Sequence, residues 1–112
     1  MTVIEVLDKS SIENLYAPLS YPARRVVYIG RDAKETEREC RVYRALFAAR
    51  GMQTEVEAVT VTPGTGREME TLTALFAAPD SYLIDLVGGD EALLFLLGRA
   101  VEVAKPAHAL MH

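Results

Sequence analysis

The run Arg25-Val26-Val27-Tyr28-Ile29-Gly30 limits the fold more than any other stretch of the chain. Its β-branched and aromatic residues favour extended backbone, and no polar residue alternates with them. A strand of this kind needs cover on both faces, as in a parallel sheet between layers of helices. Val3-Ile4-Glu5-Val6-Leu7 and Tyr82-Leu83-Ile84-Asp85-Leu86-Val87 follow the same pattern. Residues 54–61 alternate instead, with Glu55 and Glu57 between Val56 and its neighbours, which reads as a strand nearer an edge. Strands are thus predicted near 2–7, 25–30, 54–61 and 82–87, and His108 to His112 begins a fifth.

Helical segments separate these runs. Ser10 and Glu13 fit an S-x-x-E capping box that opens a short helix carrying Ile12, Leu15, Tyr16 and Leu19, with Pro18 inside it. Over 33–49, Thr36, Cys40, Tyr43, Leu46 and Phe47 share one side, which makes Cys40 a core thiol. A helix over 66–78 turns Met69, Leu72, Leu75 and Phe76 inward. Asp90 is a suitable N-cap for a helix over 91–104 that is apolar on nearly every side. Such a helix is either deeply buried or meets another subunit, and the reading places Leu93, Leu94, Leu97 and Val101 at a homodimer interface. The β-α alternation with short connections predicts an α/β fold: a Rossmann-like three-layer sandwich with a mainly parallel sheet of four to five strands.

With 112 residues, half of them hydrophobic, the chain makes a single domain with a real core over 1–112. Its end at Met111-His112 suggests the N-terminal part of a longer protein. One cysteine excludes a disulfide scaffold and a cysteine-based zinc site. No apolar run reaches the ~20 residues of a membrane span, and no signal peptide opens the chain, so a cytoplasmic protein without a membrane partner is expected. The net charge of −4 argues against binding duplex nucleic acid. Eight of the twelve basic residues nevertheless fall within 24–50, against four acids, so this segment can steer an anion or form an ordinary solvated helix face.

In an open parallel sheet, ligands bind beyond the carboxyl ends of the strands, where the strand order reverses. For the order 3-2-1-4-5 that point lies between the first and fourth strands. The loops there are Asp8-Lys9-Ser10-Ser11 and Gly88-Gly89-Asp90-Glu91, and these eight residues are the candidate ligand-binding set. Both loops open helices, whose free N–H groups attract anions. The same residues also serve as a plain helix cap and a tight turn, and both readings stand. Gly64-Thr65-Gly66-Arg67 lacks the spacing of a phosphate loop and reads as a turn. His108 and His112 follow a proline and do not form a metal site. Asp85, inside a strand, is either a satisfied inward carboxylate or an exposed end. No nucleophile motif is present, so no catalytic residue, metal or cofactor is assigned and the segment is not read as an enzyme. A phosphoacceptor domain built on Asp8 and Asp32 ranks last, because only Lys105 could supply its lysine.

Three stretches carry a likeness to a known family. They are Val3-Ile-Glu-Val-Leu-Asp-Lys-Ser-Ser-Ile-Glu-Asn14, Arg25-Val-Val-Tyr-Ile-Gly30 with the charged helix after it, and Leu83-Ile-Asp-Leu-Val-Gly-Gly-Asp-Glu91. The arrangement resembles the CRISPR-associated Rossmann fold (CARF) domain, of the type that heads a cyclic-oligoadenylate-activated nuclease. The resemblance implies a homodimeric sensor that binds a cyclic oligoadenylate, a nucleotide second messenger of antiviral defence, and controls an effector nuclease outside these residues. By position, Lys9, Ser10 and Ser11 match the family's first loop, and Gly88 and Gly89 its second. Val87 and Asp90-Glu91 depart from it, standing where the family has Thr and Thr-Lys. The alternative function is a dimerisation or interaction module of the same fold without a small ligand.

Overall fold

The computed structural model describes all 112 residues, Met1 to His112. Five strands form one sheet: β1 (Thr2–Val6), β2 (Arg25–Gly30), β3 (Glu55–Thr60), β4 (Ser81–Asp85) and β5 (His108–Met111). Their order is β3-β2-β1-β4-β5, and every pairing is parallel. The helices are α1 (Ser11–Ser20), α2 (Ala33–Ala49), α3 (Glu68–Thr73) with a 3₁₀ turn over Ala74–Phe76, and α4 (Glu91–Ala104). The fold is therefore the expected α/β sandwich, with β2 inside the sheet and β3 at one edge.

Right-handed crossovers set the layers. Connections stepping from β1 toward β3 put α1 and α2 on one face; those leading to β4 and β5 put α3 and α4 on the other. The strands β1 to β4 supply both cores, because their side chains alternate, whereas β5 is exposed along its length. Ile4, Val6, Val27, Ile29 and Ile84 meet Leu72, Leu75, Leu93 and Leu97. Val3, Val26, Tyr28 and Leu83 meet Ala17, Cys40, Tyr43 and Phe47. Cys40 is buried, and desolvation pushes its thiol up to about 11, so it behaves as a core residue.

The helices depart from expectation in three places. Ser10 precedes α1 in extended conformation, but its side chain makes no capping bond. The helix buries Asn14, Ala17 and Pro18 and turns Ile12, Tyr16 and Leu19 to solvent. The reason lies in Pro18, which has no N–H for the Asn14 carbonyl. That carbonyl instead accepts the Tyr28 hydroxyl, at 2.8 Å, which pins the proline side of α1 to the sheet. The helix predicted over 66–78 is shorter and tightens to 3₁₀ at its end. Finally, Leu93 and Leu97, expected at a dimer interface, are 1% and 0% exposed within this one chain. Their surface is spent on the core, and α4 offers Leu94 and Val101 half-buried and Phe95 exposed.

Candidate functional site

A cleft of about 590 Å³ opens at the carboxyl ends of β1, β2 and β4. It is lined by Leu7, Asp8 and Lys9 after β1, by Gly30, Arg31, Asp32, Glu35 and Thr36 around the start of α2, and by Gly89, Asp90 and Leu93 at the start of α4. This is the crevice beside the point where β4 leaves β1 in the direction opposite to β2. No helix is long and apolar enough to cross a membrane.

The floor of the cleft is built by two loops that lean on each other. Asn14 holds the first: its side-chain oxygen accepts the Asp8 N–H at 2.7 Å and its amide donates to the Asp8 carbonyl at 2.8 Å. The same amide donates to the Tyr43 hydroxyl at 2.9 Å, tying the loop to α2. The Asp8 carboxylate then accepts the Ser10 N–H at 2.8 Å and, across the chain, the Gly89 N–H at 2.6 Å. These backbone donors hold the Asp8 carboxyl below the usual range. Gly89 has φ +87°, and a Cβ there would lie 2.7 Å from Val6 Cγ1. Glycine is required at this place because the β4–α4 backbone lies directly on β1.

Asp90 caps α4, accepting the N–H groups of Ala92 and Leu93 at 2.9 and 3.2 Å. Arg31 reaches over from the end of β2 and grips the same carboxylate with Nε and Nη2, both at 3.0 Å. The guanidinium is the chief reason why the Asp90 carboxyl titrates below its ordinary value. The start of α2 is capped in the same way, with Asp32 accepting the Glu35 N–H at 3.0 Å. Each helix N-terminus at the cleft therefore carries a carboxylate of the chain itself, and Lys9 stands exposed at the rim without an ion pair. The loop after β3 repeats the device: Glu68 accepts from Thr65 Oγ1 at 2.7 Å and the Arg67 N–H at 2.9 Å, which lowers its pKa to about 2.

Of the eight residues singled out in the sequence, Asp8, Lys9, Gly89 and Asp90 line the cleft. Ser10, Ser11, Gly88 and Glu91 lie outside its lining. Sequence reasoning missed Gly30, Arg31 and Thr36, and met Asp32 only in the phosphoacceptor reading that ranked last. Their signal was available, since they directly follow β2 and the strand-end rule applies there too. Gly30 is needed where it stands: a Cβ would fall 1.9 Å from Thr36 Oγ1, which donates to the Asp32 carbonyl at 2.6 Å. Glu5 was missed as well, although a lone acid at an inward position of a doubly covered strand is a legible anomaly.

Fold and site together define a class: a parallel three-layer α/β domain with a polar cleft at its switch point. No protein-family model matches this chain, and no curated protein matches it.

Proposed function

We propose that this chain is a regulatory ligand-sensing domain that binds a nucleotide of the cyclic-oligoadenylate class in a homodimer, and controls an effector nuclease outside these residues. The cleft at the switch point carries the reading. Its volume of about 590 Å³ suits one nucleotide unit per subunit. Lys9 is free to take a phosphate, and the Asp32 and Glu35 carboxylates suit ribose hydroxyl donors. Arg31 becomes a second phosphate ligand once it lets go of Asp90. On this reading, ligand entry exchanges one anion for another on Arg31, and the α2 and α4 loops part. The dimer face is the outer flank of α4, where Leu94 and Val101 flank Gly98, beside which lies open space, with Phe95 exposed next to them.

The second reading, an interaction module with no small ligand, draws on one observation: the chain's own carboxylates already occupy its anion-binding N–H groups. Calorimetric titration with cyclic oligoadenylates, AMP and dinucleotides separates the two. Lys9→Ala is expected to weaken binding about tenfold, a change of about 1.4 kcal/mol. Asp90→Asn keeps the helix cap, releases Arg31 and is expected to tighten binding. No heat with any of these ligands, for wild type and Asp90→Asn alike, would leave the interaction module as the better reading. Light scattering that gives one chain at micromolar concentration would remove the dimer.

A further inference from the structure

The opposite side of the α1 loop holds a second polar feature that the cleft does not use. Glu5 of β1 faces Asp85 of β4 in direct register, and both point under α1. Both are buried, at 2% and 3% exposure, and Glu5 Oε2 has no hydrogen-bond partner. Asp85 accepts the Val87 N–H at 2.9 Å. Glu5 is also paired in register with Tyr28 of β2, whose hydroxyl is committed to Asn14, and Glu13 of α1 adds further negative charge. The only cationic candidate nearby is His112, just past β5. Its Nδ1 lies 3.5 Å from Asp85 Oδ1, and its ring stacks on Tyr16 at 6.0 Å between centroids.

Exposed apolar side chains lie on the same face of the sheet as this acid seat. Ile12 is 77% exposed, Tyr16 57%, Leu19 43% and Leu110 of β5 58%. Ile12, Tyr16 and Leu19 form one stripe at helical spacing on the outer side of α1. We propose that this flank docks an amphipathic helix of a partner protein, whose single arginine displaces the His112 ring, stacks on Tyr16 and pairs with Asp85 and Glu5. Charge complementarity selects the occupant. The seat holds an orphaned carboxyl oxygen, and a guanidinium can both stack on an aromatic ring and fork onto carboxylates. A second copy does not supply that group through a symmetric contact, because α1 contains no lysine or arginine and would set Glu13 against the same acids.

Burial, with Asp85 and Glu13 close by, raises the Glu5 pKa to about 9. Docking an arginine therefore drives the Glu5 proton into solvent, and affinity rises with pH below 9. The test uses two dye-labelled synthetic helical peptides with a leucine stripe, one with a central arginine and its twin with glutamine, followed by fluorescence anisotropy. Wild type is expected to prefer the arginine peptide about tenfold, increasingly so from pH 6 to pH 8. Glu5→Gln, an isostere of the protonated acid, and Asp85→Asn are each expected to erase the preference, and His112→Ala to enlarge it. Circular dichroism verifies that each variant is folded, and Glu5→Gln keeps the test decisive if Asp85→Asn is not. Equal binding of the twins, or a preference that survives Glu5→Gln, overturns the proposal. So does a wild-type dimer that Ile12→Glu converts to a monomer and that binds neither peptide.

Discussion

The two faces of this one sheet are built on opposite terms. Against α3 and α4 the core is mostly hydrocarbon: Ile4, Val6, Val27, Ile29, Ile84, Leu93 and Leu97, with the Tyr82 hydroxyl sent to the Ala78 carbonyl and the buried Thr2 hydroxyl to Asp80. Against α1 and α2 the same strands bury Glu5, Asp85 and Tyr28 among Asn14, Thr36 and Tyr43. Alternation along β1 is enough to produce both, since Ile4 and Val6 point one way and Val3 and Glu5 the other. The apolar face stabilises by transfer and close packing, which are strong but indifferent to direction. The polar face contributes less per group, but its hydrogen bonds have fixed geometry and set the β1–α1 loop that floors the cleft.

Truncation of the apolar face is therefore expected to have the largest effect. Leu97 is fully buried between α4 and the sheet, and Leu97→Ala should lower the unfolding free energy by about 3 kcal/mol. Urea titration measures it. On the polar face, Asn14→Ala strips partners from the Asp8 N–H, the Asp8 carbonyl and the Tyr43 hydroxyl, at a cost of about 2 kcal/mol. Its second consequence is specific: amide exchange should quicken at Asp8 and Gly89, which Leu97→Ala spares until global unfolding. A larger loss for Asn14→Ala than for Leu97→Ala would reverse the ranking of the faces.

The hydrocarbon of both faces was legible in the sequence, and the polar groups buried under α1 and α2 were not. Periodicity reports where hydrocarbon goes, so β1, β2, β4 and the buried side of α2 fell within a residue or two of prediction. It misjudged α4, because a helix apolar all round conceals which leucines face the sheet; Leu93 and Leu97 do, and Phe95 does not. The role of Asn14 depends on partners at Asp8, Tyr28 and Tyr43, and nothing local marks it. The strand-end rule located the β1 and β4 sides of the cleft. The β2 side was lost because the rule was applied only between the first and fourth strands, where the order reverses. That Asp90 would be held by Arg31, 59 residues away, is a tertiary fact with no local trace.

Glu5 tests the polar face through pH. The folded chain keeps the Glu5 proton up to about pH 9, and the carboxyl's ordinary value is 4.5. Between those values the unfolded chain has released the proton and the folded one has not. The stability of the wild type therefore falls as pH rises through that window and levels off above it, by at most about 1.4 kcal/mol per pH unit. Glu5→Gln has no proton to lose. Its advantage over wild type should widen steadily from pH 5 to pH 8 in thermal melts. Parallel curves for the two proteins would mean that Glu5 is solvated, and the contrast between the faces would soften.

The smallest effect is expected where polar groups meet without burial. On the outer side of α2, Arg44 Nη1 and Glu37 Oε1 lie 2.8 Å apart, with the two side chains 41% and 48% exposed. Water screens that pair, and ordering two long side chains offsets much of the attraction. Arg44 is also held independently, by its Nε bond to the Val56 carbonyl at 3.1 Å, so losing Glu37 does not set it loose. Glu37→Gln should therefore change the unfolding free energy by less than about 0.5 kcal/mol, and raising the salt concentration should shrink even that. The value of this measurement lies beside Asn14→Ala. Both substitutions break short polar contacts, and only one of those contacts is buried. If Glu37→Gln cost as much as Asn14→Ala, hydrogen-bond length rather than burial would set the cost, and the polar face would owe nothing to its place beneath α1.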